Sequence, residues 1–453
     1  MKNQIKSWNR FKRAGTTVAV MIVLFVPLSL LYLQRLETQR LQIDEWAFIR
    51  KSFYYDLFFV KRDWKDSRWY ISKMDDGDDP EQPKIGSYIF GITLHLAGIT
   101  DIEKSLDDVG FYRIEPGGAR WWISWWNKPL INPPPELIPK LQFIWEGRRT
   151  AVFFSLLSFL FLFLFGMKMN GLFYSVVAVV LLSFNHLMMI SGRFAMTDSM
   201  QLAFFFANLL LTVHYVKAVE NNQRKKVFLL SLALGINAAL GAGVKVSGML
   251  IVVFLVILSL FLLLVHRQRR TITRLLCSGT LIMTVGFLSV FIFFHPYLHQ
   301  NTLKHFVSLF ANRLSAAHDF RLLYPNSAIY SREDAAERIL RVTLLPKSPY
   351  VNFRFKVLPI DLLLFLMGLW LIGKKSREVF SKTRKISPEL IVIIWTFVVI
   401  GSLFLYLRND WPRYYLPSVA VITIIQAYAM TFLFRAIVTA LTLVSKRVSK
   451  QLQ

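Results

Sequence analysis

The sequence has little cysteine and few acidic residues for its length. Its one cysteine, Cys277, excludes a disulfide framework and a cysteine-based metal site. Only 28 residues are acidic against 54 that are basic, which gives a formal net charge of +26. A surplus of this kind occurs in nucleic-acid-binding proteins, but here the basic residues cluster between apolar runs, as cytosolic membrane flanks do. We therefore expect no nucleic-acid partner, and since the eight histidines show no zinc spacing we expect no metal.

Apolar residues make up 54% of the 453 residues, and 39 residues are phenylalanine, which is typical of polytopic membrane proteins. A membrane-spanning helix needs about 20 apolar residues. A basic N-terminus precedes the first apolar run and no small-residue cleavage site follows it, so we predict a retained helix. We divide the run 227–265 at 241–245, because two glycines and a lysine favour a turn. The sequence predicts an all-α integral membrane fold with about ten spans: 16–33, 149–166, 171–190, 199–216, 227–243, 248–265, 275–294, 357–373, 389–407 and 414–434.

The distribution of positive charge predicts the orientation of these spans. With the N-terminus in the cytoplasm, the segments 217–226, 266–274 and 374–388 lie inside, and each is rich in lysine and arginine. Two long segments, 34–147 and 295–356, then lie outside. We predict a single transmembrane domain in a multi-pass protein, most simply of the cell membrane, with its functional site on the outer face.

The first outer loop, 34–147, holds 18 of the 28 acidic residues and eight of the twelve tryptophans. Within it, 44–60 has apolar residues at helical spacing and predicts an amphipathic helix on the membrane surface. A second helix is expected over 84–99, and 101–146 should form short elements. The acidic stretch 75–79 lacks the ligand spacing of a calcium loop and is expected to be a solvated turn. The tryptophans of 121–126 fit either stacking on sugars or an interfacial belt.

Several short motifs occur in a characteristic order at the outer ends of the spans. They are Asp44-Glu45, Gln82-Pro83-Lys84, Gly147-Arg148-Arg149, the segment from Arg193 to Asp198, Lys245-Val246-Ser247-Gly248, and Arg413-Tyr414-Tyr415-Leu416-Pro417. In this order and placement the chain resembles the GT-C membrane glycosyltransferases, and among them the family of dolichyl-phosphate-mannose protein mannosyltransferases and the lipid A aminoarabinose transferase. The resemblance extends along nearly the whole chain, although 101–146 is an insertion.

The resemblance implies an inverting transfer of a single sugar, for example mannose, from a polyprenyl-phosphate carrier to an acceptor hydroxyl. The first acid of the loop is the implied base, which is Asp44, with Glu45 as the second candidate. Glu45 is about 100° further around a helix, so the two carboxylates should not face one substrate. The implied donor-binding residues are Lys84, Arg193, Asp198, Lys245, Arg413 and Tyr414. The lipid-linked sugar is the only cofactor implied, and the acceptor is a protein, a lipid or a cell-envelope glycan.

Independently of the family, these charged residues fall at one end of their spans, where ionisable groups are costly unless they are paired or face a wet cavity. Each also has an ordinary structural interpretation. Asp44 and Asp198 could be helix N-caps, and Lys84 could anchor a surface helix by snorkelling. Arg193 could pair with Asp198, whereas Lys245, with no partner evident between two spans, favours a functional role.

The pair Arg413 and Tyr414 also fits an interfacial anchor. A different class of function, a membrane transporter or lipid flippase, remains open as well. That class predicts inverted repeats and helices broken near the middle of the membrane. No repeated halves are evident in the sequence, and the polar residues lie at one end of the spans.

Overall fold

A computed structural model describes residues 2–70, 82–113, 120–266 and 269–451. The described residues form helices and connecting loops, with two isolated β-bridges and no β-strand. The acidic stretch 75–79 lies outside the described residues. The α-helices, in chain order, are α1 (Lys2–Leu33), α2 (Ile43–Arg50), α3 (Ile85–Leu96), α4 (Ile102–Asp108), α5 (Trp121–Trp125), α6 (Ile138–Met169), α7 (Leu172–Phe184), α8 (His186–Ser191), α9 (Asp198–Glu220), α10 (Arg224–Val244), α11 (Met249–His266), α12 (Arg270–Phe293), α13 (Thr302–Leu323), α14 (Arg332–Thr343), α15 (Ile360–Thr383), α16 (Pro388–Tyr406) and α17 (Leu416–Gln451).

Eight helical segments of the described chain are long and apolar enough to cross a membrane. They are α1 from Gly15, α6, α9, α10, α11, α12, α16 and α17. The predicted all-α, multi-pass membrane fold is therefore confirmed, with helices at all ten predicted positions.

Two of the ten predicted spans, 171–190 and 357–373, correspond to helices that miss this criterion. Over the first, α7 has only 13 residues, because the chain breaks at Asn185, whose side-chain oxygen accepts hydrogen bonds from the amides of Leu187 and Met188 to cap α8. Over the second, α15 is a full-length helix, but its apolar part ends at Gly373 and a basic run follows. Interruption by polar residues, rather than the absence of helix, explains both differences.

The predicted break between α10 and α11 is confirmed. Lys245 has extended dihedral angles (φ −156°, ψ 140°), and a short 3₁₀ turn over Val246–Gly248 leads into α11. The glycines permit a close approach here, since a Cβ at Gly248 would lie 2.0 Å from the carbonyl oxygen of Gly241. The turn thereby leaves Lys245 at the end of α10.

The loop 34–147 has a hydrophobic core of its own, packed onto the ends of α6, α9 and α10. In the predicted amphipathic stretch 44–60, α2 continues into a 3₁₀ turn over Lys51–Phe53 and a π-helical turn over Asp56–Val60. Its apolar side chains Trp46, Ile49, Phe53 and Leu57 are buried within the protein, so the prediction that this face lies on the membrane surface is wrong. Phe59 and Val60, at the end of the stretch, are exposed.

The tryptophans of 121–126 lie in different environments. Trp121 and Trp122 are buried, and Trp121 Nε1 donates to the carbonyl of Phe111, so neither of these two side chains is available as an open stacking platform. Trp126 is 47% exposed, and for it stacking on sugars and an interfacial position both stay predictions.

Helix α6 begins at Ile138, well before the predicted start of the second span at 149. Arg148 and Arg149 therefore lie within the helix, and the burial of Arg148 is compensated by an internal partner described below.

Candidate functional site

Asp44 lies in the first turn of α2, where the chain enters the loop core. The N-cap residue is Gln42, whose backbone amide donates to Glu45 Oε2 at 2.9 Å, so the interpretation of Asp44 as an N-cap is wrong. Asp44 Oδ2 instead accepts a hydrogen bond from Arg413 Nη1. The Asp44 side chain is 37% exposed, which leaves it accessible to a ligand.

Glu45, the neighbouring carboxylate, is fully buried in an ion pair with Arg148. Arg148 Nε and Nη2 donate to the two oxygens of Glu45 at 2.7 and 2.8 Å, and the amide of Ala195 donates to Oε1 at 2.9 Å. The remaining Arg148 donors bind loop carbonyls, those of Leu36, Gln39 and Arg40. The sequence-based hypothesis of Glu45 as a catalytic residue finds no geometric support, because both of its oxygens are occupied. This bidentate pair instead ties the start of α2 to α6.

Lys245 and Asp198 form an ion pair in which Nζ lies 2.6 Å from Asp198 Oδ1. Asp198 is the first residue of α9, with Thr197 as the N-cap, so Asp198 is not the N-cap and does not pair with Arg193. The expectation that Lys245 has no partner is wrong for the same reason. Tyr414 joins this pair to the Asp44 pair, since its ring centroid lies 5.7 Å from Lys245 Nζ and 5.5 Å from the Arg413 guanidinium carbon.

Arg193 has a different environment. Its Nε donates to the carbonyl of Tyr32 at 3.1 Å, and Nη2 donates to the carbonyl of Gln34. These contacts hold the end of α1 and account for the position of the Arg193 guanidinium without a ligand. Among the predicted donor-binding residues, Arg193 is thus the one whose contacts are those of a structural residue.

Lys84 lies immediately before α3 and is 2% exposed, with Nζ 4.0 Å from the centroid of the Tyr54 ring. The start of α3 packs tightly on the segments that carry Asp198 and Lys245. A Cβ at Gly86 would lie 2.5 Å from Thr197 Cγ2 and 3.5 Å from the carbonyl oxygen of Val244. The start of α3, with the positive end of its dipole, therefore lies next to the segments that carry Asp198 and Lys245.

Three buried polar atoms around this position have no hydrogen-bond partner in the described part of the chain. They are Thr197 Oγ1, Asp198 Oδ2 and His295 Nε2. Leaving such an atom unpaired costs about 1–3 kcal/mol, so their clustering indicates a site that a polar ligand completes. Thr197 was missed in the sequence because a threonine at a helix start has no distinguishing pattern. His295 directly follows the predicted span 275–294, and nothing else in the sequence distinguishes it.

The structure thus brings together five of the eight predicted site residues, namely Asp44, Asp198, Lys245, Arg413 and Tyr414. Lys84 precedes the helix whose start packs on the segments of Asp198 and Lys245. Cations alternate with carboxylates along this row, so it can hold an anion and still present a carboxylate to a second reactant. Glu45 and Arg193 lie outside this row, and their contacts hold the start of α2 and the end of α1 in place.

Comparison with known proteins identifies the fold that carries this site. Residues 130–310 match the profile of the family described as dolichyl-phosphate-mannose-protein mannosyltransferase. Arg148, Asp198, Lys245 and His295 lie within that match, whereas Asp44 lies outside it. A search of curated proteins finds no match to this chain.

Solved structures match along nearly the whole chain. The crystal structure of ArnT from Cupriavidus metallidurans bound to undecaprenyl phosphate has a TM-score of 0.53 at 15% identity, and the match covers 94% of this chain and 65% of that one. The apo oligosaccharyltransferase from Archaeoglobus fulgidus has a TM-score of 0.50 at 12% identity, covering 93% and 52%. This chain spans less than two thirds of the length of either protein. The chain has the GT-C fold, and its predicted resemblance to the dolichyl-phosphate-mannose-protein mannosyltransferase family is confirmed.

Proposed function

We propose that this protein is a glycosyltransferase that uses a polyprenyl-phosphate-linked sugar as its donor. The observation that carries the proposal is the row of alternating charges in which Asp44 pairs with Arg413 and Asp198 pairs with Lys245, beside the buried Lys84. The GT-C fold and the undecaprenyl phosphate bound to the Cupriavidus protein support it. As in the predicted orientation, we place the row at the outer membrane face and the N-terminus in the cytoplasm.

In this mechanism the donor phosphate binds among Lys84, Lys245 and Arg413, where charge-assisted hydrogen bonds neutralise the charge of the leaving group. Asp44 accepts the proton of the attacking hydroxyl, which requires an approach to hydrogen-bond distance. The acceptor oxygen bonds to the anomeric carbon from the side opposite the phosphate, and configuration inverts. Phosphate is a good leaving group, so the reaction needs no general acid.

The pairing of Asp44 with Arg413 gives the proton transfer a further consequence. When Asp44 becomes neutral, its attraction for the guanidinium weakens. At the same step the leaving phosphate gains a negative charge, so Arg413 is drawn towards the phosphate as the bond breaks. One cation can therefore stabilise the base before transfer and the leaving group after it.

We propose a single sugar, with mannose as the first candidate, and O-glycosylation of a protein hydroxyl as the first candidate reaction. The printed description of the matched family supports this choice. Transfer onto a lipid or a cell-envelope glycan uses the same site chemistry and is the alternative. The loop 34–147, which forms its own core above the helix ends, is the part of the chain that we assign to acceptor binding and catalysis, and 295–356 is the second outer segment.

The test is sugar transfer by the purified protein in detergent or liposomes, with mannose presented either on a polyprenyl phosphate or on a nucleotide diphosphate. We expect turnover only with the lipid donor, and Lys84→Met should abolish it. Lys304→Met is the matched control, because Lys304 is an exposed lysine on α13. Equal turnover of a nucleotide sugar without lipid would contradict the proposed donor class. Separate assays with hydroxyl-bearing peptides and with glycolipids would distinguish the acceptors.

A further inference from the structure

His295 follows the end of α12 and is 2% exposed. Its Nδ1 lies 2.6 Å from the carbonyl oxygen of Phe291, and its ring stacks on Phe291 with centroids 4.3 Å apart. A carbonyl oxygen only accepts hydrogen bonds, so Nδ1 carries the proton. In the neutral ring Nε2 is then an acceptor, and it has no partner among the described residues. The hydrogen bond and the ring stacking thus fix the imidazole in place and leave Nε2 without a hydrogen-bond partner among the described residues.

That nitrogen belongs to the phosphate end of the candidate site. A Cβ at Gly243 would lie 2.4 Å from Ile85 Cδ1 and 3.1 Å from His295 Cε1, so the imidazole packs beside the first residue of α3 and near the end of α10. Lys84 precedes Ile85, and its positive charge acts on His295. Because Cε1 is bonded to Nε2, the unused nitrogen lies close to the region that we assign to the donor phosphate.

The other titratable groups near His295 are accounted for. On α3, the Tyr88 hydroxyl donates to the carbonyl of Phe294, and on α13, His305 Nδ1 lies 2.5 Å from the carbonyl oxygen of Tyr297. On its own segment, His299 bonds to carbonyls of α12 and adds a repulsive effect on a positively charged His295. From α10, Lys245 is held by Asp198. Among the groups acting on His295, the cationic ones oppose its protonation.

Burial, together with the charges of Lys84 and His299, lowers the pKa of His295 to about 4, although the hydrogen bond to Phe291 opposes this shift. An opposite charge within hydrogen-bond reach raises such a pKa by about 1–3 units. One negative charge beside Nε2 therefore leaves the ring mostly neutral at pH 7.5. Two negative charges raise the pKa about twice as far and so favour the protonated ring.

We propose that His295 is a further phosphate-binding residue, neutral beside the donor and protonated beside the product, to which Nε2 then donates a hydrogen bond. This inference rests on the proposed function. The donor is a phosphodiester with one negative charge. Transfer forms the bond between acceptor oxygen and anomeric carbon and breaks the bond from that carbon to the phosphate oxygen. The electron pair stays on the phosphate, which becomes a monoester with two charges, and the acceptor's proton passes to Asp44 and then to water. His295 takes one proton from water as it binds the dianion.

Calorimetric titration tests the inference without requiring turnover. Undecaprenyl phosphate and its methyl ester, a monoester and a diester, are each titrated at pH 7.5 into wild-type protein and His295→Gln. Buffers of different ionisation enthalpy report the protons taken up. We expect wild-type protein to take up about one proton more with the monoester than with the diester, after correction for ionisation of the free lipid. His295→Gln and His295→Asn should lose that difference and bind the monoester about tenfold more weakly, whereas His318→Gln, a change at an exposed histidine of α13, should behave as wild type.

The outcomes separate the two proposals. Equal proton uptake in wild type and both His295 variants would overturn the role of His295 and leave the proposed function intact. The same holds if wild-type protein takes up equal numbers of protons with the two lipids. Failure of folded wild-type protein to bind either lipid would overturn the proposed function, and this inference with it.

Discussion

Asp44 and Arg413 are 369 residues apart in the chain and form an ion pair at the candidate site. The first lies in the loop 34–147 and the second in the 3₁₀ turn Pro412–Tyr415 just before the last helix, so the pair links the two ends of the fold across the row of charges. The Asp44 carboxylate is also partly exposed, whereas its neighbour Glu45 is fully buried. Two adjacent acids therefore lie in different environments, and we predict separate roles for them, which substitutions at each position can distinguish.

Asp44→Asn should lower single-turnover transfer from the lipid donor by about 10²–10⁴-fold, because the variant keeps the size of the side chain and loses the proton acceptor. Donor affinity and thermal stability should change little, since a partly exposed ion pair contributes only about 0–1 kcal/mol. Transfer near the wild-type rate would exclude Asp44 as the base.

Glu45→Gln should instead destabilise the protein by about 3–5 kcal/mol, because it leaves the buried guanidinium of Arg148 without its counter-charge. The thermal unfolding midpoint of the detergent-purified protein measures this. Arg149→Gln is the matched control: Arg149 is the next residue along α6, its side chain is 51% exposed, and its pairs with Glu37 and Glu146 should be worth about 1 kcal/mol or less. Equal effects of the two substitutions would contradict a structural role for the buried pair.

Lys245→Met should weaken binding of the lipid donor by about 10- to 100-fold, since a hydrogen bond to a charged group is worth about 1.5–3 kcal/mol. Lys245→Arg keeps the charge and should recover part of this loss. Binding of a fluorescent polyprenyl phosphate measures both variants. If Lys245 served only to neutralise Asp198, the double variant Lys245→Met with Asp198→Asn would restore wild-type affinity. We expect it to remain weak.

The sequence predicts most of the helices but not the partners of their charges. Hydrophobic length located helices at all ten predicted positions. Two of these helices are too short or too charged for a span by length and composition, because Asn185 and the basic end of α15 interrupt an apolar run. Ion pairs such as Asp198 with Lys245 join different helices, and no periodicity within one segment encodes them. The sequence therefore marks each charge as costly without revealing which neighbour compensates it.

The apolar residues of the loop 34–147 show the same limit of prediction from sequence. The helical spacing of Trp46, Ile49, Phe53 and Leu57 correctly indicates one apolar face, but spacing does not reveal whether lipid or protein covers it. Here the cover is the loop's own core, which includes Ile85 and buried aromatic residues. Only tertiary packing distinguishes these alternatives.

The orientation of the chain is a separate prediction. After Cys277→Ser, single cysteines at Ser67 and Ser381 replace exposed serines with side chains of nearly the same size. In intact cells a membrane-impermeant thiol reagent should label position 67 and not position 381, as the positive-inside rule requires for the basic segment 374–388. Lysed cells should show labelling at both positions. Labelling of position 381 alone in intact cells would invert the predicted topology.

The burial of His295 predicts how the stability of the ligand-free protein depends on pH. An unfolded histidine has a pKa near 6.5, and in the folded protein burial lowers the pKa of His295 to about 4. Between these values the unfolded chain binds more protons than the folded one, so stability is present above pH 6.5 and is lost as the pH falls towards 4. At pH 5 the loss from this one group is roughly 2 kcal/mol relative to pH 7.5.

Thermal unfolding of wild-type protein and His295→Gln at both pH values isolates the contribution of His295 to stability, since other groups contribute equally to both proteins. The variant should lose less stability on acidification than wild type, and His318→Gln, a change at an exposed histidine of α13, should follow wild type. An identical loss in His295→Gln would mean that this imidazole is not held neutral by the fold.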